Sequence, residues 1–101
     1  MPNEFTKYPA ETYPIGMDYT GKAPSGAILV SGVWSAIDML DESDVSSSIF
    51  LSTSATIAGM VAKARVRNGE LDRLYRLGIT ATFDTGDVLH DNVYMTIQQD
   101  A

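Results

Sequence analysis

Two stretches in the middle of the chain alternate between apolar and polar residues with a period of two, which is the spacing of a β-strand. The first stretch places apolar residues on one face: Met60, Ala62, Ala64 and Val66. Its other face carries mainly cations: Val61, Lys63, Arg65 and Arg67. The second stretch also places apolar residues on one face: Tyr75, Leu77, Ile79, Ala81 and Phe83. The pattern therefore predicts two strands, each with one face in a hydrophobic core.

The segment between these strands contains Asn68-Gly69, a dipeptide that readily supplies the positive φ angles of a tight turn. If this dipeptide is the loop of a two-residue hairpin, the strands pair directly in one sheet, and Tyr75 is an ordinary core aromatic. If residues 68–73 form a corner, the chain crosses to a second sheet. The Tyr75 hydroxyl can then bond back to the corner, as in Greek-key sandwiches, with Leu71 filling the space beneath. The pattern favours the corner.

The segment 27–38 is rich in β-forming residues and has Gly32 at its middle. A glycine inside a strand indicates a bulge or a close approach of another backbone. A bulge here would shift the alternation, so we expect both Val30 and Val33 to face inward. Trp34, the only tryptophan, is predicted to lie in the core.

The remaining β segments are shorter. Residues 45–53 predict a strand whose continuous apolar centre suggests burial on both faces or an interface on one: Ile49, Phe50 and Leu51. Residues 84–87 read Asp-Thr-Gly-Asp and predict a turn, and a last strand follows with alternating Val93, Met95 and Ile97. Together these patterns predict six or seven strands without a helix, which is an all-β sandwich.

Residues 1–26 are interrupted by four prolines and three glycines, so we expect no helix of useful length there. We interpret them as an extended N-terminal arm with one short strand near residues 15–19, preceding a β-sandwich domain at 27–101. Four of the nine aromatic residues lie in this arm: Phe5, Tyr8, Tyr13 and Tyr19. These aromatics either pack along the edge of the domain or bind a partner.

Composition narrows the class of protein. A chain of 101 residues with 45% hydrophobic content is sufficient for one domain with its own core. Without cysteine it can form neither a disulfide nor a thiolate metal site. No apolar run is long enough for a membrane-spanning helix. The first residues do not have the pattern of a secretion signal, so we expect synthesis in a cytoplasm without export by that route.

The net charge of −6 argues against general binding to nucleic acid, which requires clustered cations. Five of the seven cations nevertheless lie within residues 63–76: Lys63, Arg65, Arg67, Arg73 and Arg76. Acidic residues concentrate in the connection at 38–44: Asp38, Asp41, Glu42 and Asp44. The chain is thus predicted to have a basic and an acidic side. Such polarity suits head-to-tail association of copies or a charged partner, and the alternative is two solvated faces.

Three motifs could suggest chemistry, but each lacks a necessary part. Residues 16–22 match the phosphate-binding loop G-x-x-x-x-G-K, yet Ala23 lacks the hydroxyl needed for magnesium, and Pro24 prevents a regular helix from following. His90, the only histidine, lies near aspartates without a nucleophile turn or oxyanion hole. The acidic residues at 41–44 lack the glycine and ligand spacing of an EF-hand. We therefore predict no catalytic, cofactor or metal site.

The order of short motifs along the chain resembles that of small tail-associated proteins of tailed bacteriophages, often described as fibre-tail adaptor proteins. The similarity covers most of the chain from about residue 7 onward. The chain departs from that pattern at residues 68–72 and 89–92. The motifs are Asp18-Tyr19-Thr20-Gly21, Ile28 to Trp34, Ile57-Ala58-Gly59, Val66-Arg67-Asn68-Gly69, Tyr75-Arg76-Leu77 and Ala81-Thr82 through Thr85-Gly86-Asp87.

This resemblance implies an immunoglobulin-like sandwich with a non-enzymatic role in the virion. It implies several copies around the tail axis, at the tail or neck, assembled in the host cytoplasm and contacting other tail, neck or fibre proteins. Two alternatives remain open, a decoration protein on the capsid and a carbohydrate- or receptor-binding module that uses exposed tyrosines. Both the arm and the charged segments are candidate partner-binding surfaces: Phe5, Tyr8, Tyr13, Lys63, Arg65, Arg67, Arg73, Arg76, Asp41, Glu42 and Asp44.

Overall fold

The computed structural model describes residues 4–98, which form an all-β sandwich with eight strands in two sheets and one short helix. The predicted all-β sandwich is confirmed, with eight strands where six or seven were expected and with one short helix where none was expected. The elements in chain order are β1 (Glu4–Lys7), β2 (Tyr13–Asp18), β3 (Leu29–Asp38), β4 (Ser43–Asp44), α1 (Ser46–Ile49), β5 (Thr56–Ala58), β6 (Val61–Val66), β7 (Leu74–Phe83) and β8 (Val88–Ile97).

The two sheets differ in size. The larger sheet has the order β1-β8-β7-β3-β4, and all of its pairs are antiparallel except β1 with β8. The smaller sheet has the order β2-β6-β5 and is antiparallel throughout. Both strands of the predicted arm region therefore pair with strands from later in the chain, one in each sheet. Pairing across such distances in sequence ties residues 4–18 to the body of the sandwich.

The connection between β6 and β7 is a corner, because these strands lie in different sheets. The backbone N–H of Glu70 donates to the Tyr75 hydroxyl at 2.9 Å, which is the predicted tyrosine-corner contact. Gly69 has φ +101°, and an added Cβ would lie 2.7 Å from Cδ1 of Ile97. The expectation that Leu71 fills the space beneath the corner is wrong, since Leu71 is 42% exposed. Ile97 and the Tyr75 ring occupy that space.

The core lies between the sheets and follows the predicted alternation. The inward faces of β6 and β7 are buried or half-buried as expected, and Trp34 is 1% exposed. Its ring lies 5.7 Å from that of Phe50, while Tyr19 meets Phe83 edge to face at 5.5 Å. Aromatic pairs at these distances add stabilisation beyond the area they bury. The hydrophobic pattern thus predicted the core of β6 and β7 correctly.

The bulge in β3 lies at Val30, before the expected position at Gly32. The register with β7 shifts between Leu29 and Ser31, so Leu29 and Gly32 both face inward. Val30 and Val33 are 55% and 58% exposed, and the expectation that they face inward is wrong. Gly32 does mark a close approach, because an added Cβ would lie 3.0 Å from Ile79 and 3.2 Å from Ala55.

The predicted strand at residues 45–53 is wrong. The Ser46 side chain donates to Asp44 at 2.6 Å and accepts from the Ala36 N–H, and α1 forms one helical turn from there. Phe50 then pairs with Val66 only as an isolated bridge. Local serine bonds compete with the ladder, so helical curvature replaces the strand. Ile49 and Phe50 are both buried because the chain bends between them, not because a strand is covered on both faces.

Candidate interaction surfaces

The acidic connection 39–44 forms a rigid turn at the end of β3. The Asp38 carboxylate accepts the Leu40 N–H at 3.0 Å, and the Asp38 carbonyl accepts the N–H of Glu42 at 2.7 Å. Glu42 has φ 60°, which closes the turn in the left-handed region. Asp38 is buried, and its second carboxylate oxygen pairs with Arg73. This ion pair fastens the turn to the corner before β7.

Two carboxylates of this turn are held by neighbouring serines. Asp41 Oδ1 accepts the hydroxyl of Ser43 at 2.6 Å and its N–H at 3.0 Å. Asp44 Oδ1 accepts the hydroxyl and the N–H of Ser46 at 2.6 and 2.9 Å. These hydrogen bonds favour the charged form and lower the pKa of both Asp41 and Asp44. The serine bonds thus hold the two carboxylates in one orientation, although both side chains are exposed.

The turn also presents apolar surface beside its charges. Leu40 is 72% exposed and Met39 is 37% exposed. These exposed apolar side chains beside carboxylates give the turn an apolar centre with a polar rim, which is the composition of a small protein contact. Leu40 was not among the residues predicted to bind a partner. Only its exposure in the folded chain distinguishes it from the buried leucines.

The five cations of residues 63–76 do not form one basic surface. Arg67 donates to the carbonyls of Ser47 and Ser48, each at 3.3 Å, and so binds the helical turn. Arg73 pairs with Asp38 and lies 3.1 Å from Glu70, and these hydrogen bonds and charges raise its pKa, the bond to Asp38 most of all. Arg73 thus lies beside the acidic turn, through its ion pair with Asp38.

The other three cations lie on opposite outer faces of the sandwich. Arg76 is on the outer face of the larger sheet, opposite Tyr94 of β8. Lys63 and Arg65 are exposed on the outer face of the smaller sheet and make no ion pair with a carboxylate of residues 4–98. The sequence clusters these cations because β6 and β7 are consecutive strands. The corner then places the two strands in different sheets.

Lys63 and Arg65 border a surface cavity of about 400 Å³. The cavity forms beside residues 51–55. Phe50, just before this segment, bridges to Val66 of β6, and within the segment the Thr53 carbonyl accepts the Trp34 N–H of β3 at 2.7 Å. The chain then returns to β6 as its partner strand β5. Hydroxyl and apolar groups complete its lining: Pro14, Ile15, Leu51, Ser52, Ser54, Thr56 and Ala64. Cations, hydroxyls and apolar atoms around one opening suit a ligand with negative charge and an apolar part.

The sequence analysis did not identify the hydroxyl lining of this cavity. The density of serine and threonine between residues 46 and 56 was the available signal, since such a run predicts irregular structure instead of a strand. The apolar centre at 49–51 obscured it.

The aromatic residues of the N-terminal region divide between core and surface. Tyr19 is fully buried, whereas Tyr8 and Tyr13 are 41% and 39% exposed. The rings of Phe5 and Tyr13 stack at 5.3 Å with an interplanar angle of 17°, joining β1 of one sheet to β2 of the other. Tyr8 follows in the turn between these strands. The structure therefore brings Phe5 and Tyr13 into contact and places Tyr8 in the connection between their strands, and these three residues are called the aromatic end.

A buried lysine supports this aromatic end. Lys7 is 1% exposed, and its Nζ donates to the carbonyls of Tyr8 and Pro9 at 2.7 and 3.4 Å. Burial lowers the pKa of Lys7, and the negative charge of Glu11 partly opposes this effect. The N–H of Tyr8 donates to the same Glu11 side chain at 2.8 Å. The backbone of Tyr8 is thus held by hydrogen bonds at both its N–H and its carbonyl, while the residue is 41% exposed.

The motifs considered for chemistry have ordinary structural positions. Gly16 lies inside β2, and Lys22 directs its Nζ toward Met17 Sδ at 3.6 Å. His90 Nδ1 lies 3.1 Å from the Thr80 hydroxyl on the outer face of the larger sheet. Within residues 4–98 there is no group of three or more potential ligand side chains that could hold a metal ion. No helix in that range is long and apolar enough to cross a membrane.

No protein-family model matches the chain, and searches of the curated proteins and of the solved structures find no match.

Proposed function

We propose that this chain is a non-enzymatic structural protein of a bacteriophage virion, an adaptor that links tail or neck components to tail fibres in several copies around the tail axis. The resemblance of its motif order to fibre-tail adaptor proteins suggests this role. The observation that carries the proposal is the presence of three chemically different surfaces on one small sandwich. These are the aromatic end, the basic cavity and the acidic turn.

An adaptor must contact at least two neighbours at once, so its contact surfaces have to be separate. The aromatic end is built by β1 and β2, and the acidic turn by the end of β3. The cavity is lined by β6, by the segment before β5 and by Pro14 and Ile15 of β2. The acidic turn therefore lies on an element of its own, whereas the aromatic end and the cavity share β2. Each is held by bonds within the sandwich, so a partner can bind without ordering a loop first.

The aromatic end is the surface proposed to contact a tail or fibre protein. Tyrosine supplies a large contact area with few rotatable bonds, which is why it is frequent at protein interfaces. Tyr13, which stacks on Phe5, is 39% exposed, and Tyr8 in the connection between β1 and β2 is 41% exposed. A neighbour with an apolar groove and a polar rim would match this end.

Point substitutions at the aromatic end test this role better than deletion does. Deleting β1 would expose the edge of β8 and remove the buried Lys7. The variant Tyr8→Ser/Tyr13→Ser should instead fold with the same strand content, because neither tyrosine belongs to the core between the sheets. Val88→Ser is the matched control, since Val88 is 57% exposed on the larger sheet.

The readout is the amount and position of the chain in particles assembled from the genome that encodes it. We expect the wild-type chain and the Val88 control at a single vertex, in the tail or neck, and we expect the tyrosine variant to be absent from particles. Normal incorporation of the tyrosine variant would remove the aromatic end from the proposal. Copies spread over the head would indicate a capsid decoration protein and would contradict the adaptor role.

A second candidate function is a carbohydrate-binding module, and the exposure of Tyr8 and Tyr13 favours it. Sugars stack on tyrosine rings in such sites. Binding of glycans to the isolated wild-type chain, lost in Tyr8→Ser/Tyr13→Ser and retained in Val88→Ser, would support this alternative. The adaptor role predicts no glycan binding by the isolated chain.

A further inference from the structure

The acidic turn 39–44 and the basic cavity are complementary in both charge and polarity. The turn offers an exposed Leu40 flanked by carboxylates, of which Asp41 and Asp44 are fixed by serine bonds. The cavity offers apolar side chains in its lining together with Lys63 and Arg65, neither of which pairs with a carboxylate of residues 4–98. Each surface lacks the groups that the other supplies.

We infer that the acidic turn of one copy binds in the basic cavity of the next copy. Leu40 enters the opening, and carboxylates of the turn face Lys63 and Arg65. A volume of about 400 Å³ is ample for one leucine side chain, so the apolar tip and the charged rim can be satisfied together. The hydroxyls of Ser54 and Thr56, which donate to no group of residues 4–98, are available in the lining to carboxylate oxygens that Ser43 and Ser46 do not use.

The contact is heterologous, because the two surfaces lie on different parts of the chain. A heterologous contact leaves one free turn and one free cavity on every pair, so association continues until a ring closes or a filament forms. In the proposed function this contact would join repeated copies around a tail axis, and that part of the inference rests on the proposed function. The contact between two copies can be measured on the purified chain alone.

A rival acidic turn lies at residues 84–87. Asp84 accepts the Ile28 N–H at 2.9 Å, and Asp87 accepts the Thr85 hydroxyl at 2.6 Å. It presents two carboxylates where residues 41–44 present three, and its backbone reverses around Gly86 without a leucine at the tip. The turn 39–44 is therefore the better occupant, and the turn 84–87 provides a matched control.

The test uses two neutralised variants of the full chain. Asp41→Asn/Glu42→Gln removes two negative charges from the acidic turn and leaves the cavity unchanged. Lys63→Gln/Arg65→Gln removes two positive charges from the cavity and leaves the turn unchanged. Sedimentation of each purified protein over a concentration series measures the dissociation constant for self-association. We expect wild type to associate at low salt, and each variant to associate roughly tenfold more weakly, since two exposed charge pairs are lost. Added salt should weaken the wild-type contact.

Two controls and a mixing experiment make the test specific. Asp84→Asn/Asp87→Asn and Lys22→Gln/Arg76→Gln change net charge by the same amounts and should associate like wild type. An equimolar mixture of the turn variant and the cavity variant should form a one-to-one dimer, because one partner retains the cavity and the other retains the turn. A symmetric contact predicts no such preference.

Three results would overturn the inference: a wild-type chain that stays monomeric at every concentration, association unchanged in both neutralised variants, or weakening by the Asp84/Asp87 control instead. A specific contact in solution together with a chain absent from particles would leave this inference standing and contradict the proposed function. Localisation at a tail vertex with a strictly monomeric chain would do the reverse.

Discussion

The corner tyrosine provides a test in which one atom is removed at two buried sites with opposite expected results. Tyr75 is 3% exposed, and its hydroxyl accepts the Glu70 N–H at 2.9 Å. Tyr19 is fully buried, and its hydroxyl makes no hydrogen bond of standard geometry within residues 4–98, although burial and the nearby carboxylate of Asp91 raise its pKa. Replacing each by phenylalanine keeps the ring and removes only the hydroxyl. The local hydrogen bonding therefore determines the sign of the change.

The magnitude follows from what each substitution leaves behind. In Tyr75→Phe the Glu70 N–H loses its acceptor in a partly buried corner, which costs about 1–2 kcal/mol of unfolding free energy and roughly 5–10 °C in Tm for a domain of this size. In Tyr19→Phe a buried hydroxyl without a hydrogen bond of standard geometry is removed. The free energy of unfolding should then stay the same or rise by up to about 1 kcal/mol.

Urea unfolding followed by the fluorescence of the single tryptophan measures both variants, with the midpoints compared at an unchanged slope. Tyr13→Phe serves as the exposed control and should match wild type. The reasoning would be refuted by a Tyr75→Phe midpoint equal to that of wild type, or by equal losses in Tyr75→Phe and Tyr19→Phe. The first result would mean that the corner bond does not contribute to stability, and the second that the loss does not depend on whether the hydroxyl is hydrogen-bonded.

Three further predictions concern the glycine corner, the buried ion pair and alkaline pH. Gly69→Ala should lower the unfolding free energy by about 2–3 kcal/mol, because φ is positive there and the new Cβ meets Ile97. Gly59→Ala, also at positive φ but with open space for the Cβ, should lower it by only about 1 kcal/mol, and the two urea midpoints measure this difference. Asp38→Asn should lower the midpoint clearly and Glu70→Gln hardly at all, since only the first carboxylate is buried. Burial, with the charge of Asp91, raises the pKa of Tyr19 to about 12. The stability this group contributes is present below pH 10 and is lost as pH rises from about 10 to about 12, so stability titrations should show a smaller alkaline loss in the phenylalanine variant.

The successes of the sequence analysis come from periodicity. The alternation in β6 and β7 identified their core faces, and Asn68-Gly69 with Tyr75 indicated the corner. The turn at 84–87 is also confirmed, with the Phe83 N–H bonded to the Asp87 carbonyl at 2.9 Å. These features depend on neighbours in the sequence, so a local pattern is sufficient to predict them.

The errors have equally specific causes. A bulge at residue 30, not at Gly32, turned Val30 and Val33 outward, and one residue of shift is enough to reverse a strand's faces. Serine side chains converted the apolar run at Ile49 into a helical turn. Leu71 remained exposed because Ile97, from the other end of the chain, occupies the space beneath the corner. Each error involves a partner distant in sequence or a side chain that competes with the backbone.

By itself, the sequence determined that the chain is a single all-β sandwich, since strand periodicity, turn dipeptides and the absence of a helical pattern are local properties. It also determined where acidic and basic residues concentrate along the chain. The tertiary structure decided which of these residues share a surface. The corner sent Lys63 and Arg65 to one sheet and Arg76 to the other, and Arg73 came to lie beside the acidic turn through its ion pair with Asp38. The cavity exists only because a segment leaves one sheet to pair with β3, which no local pattern specifies.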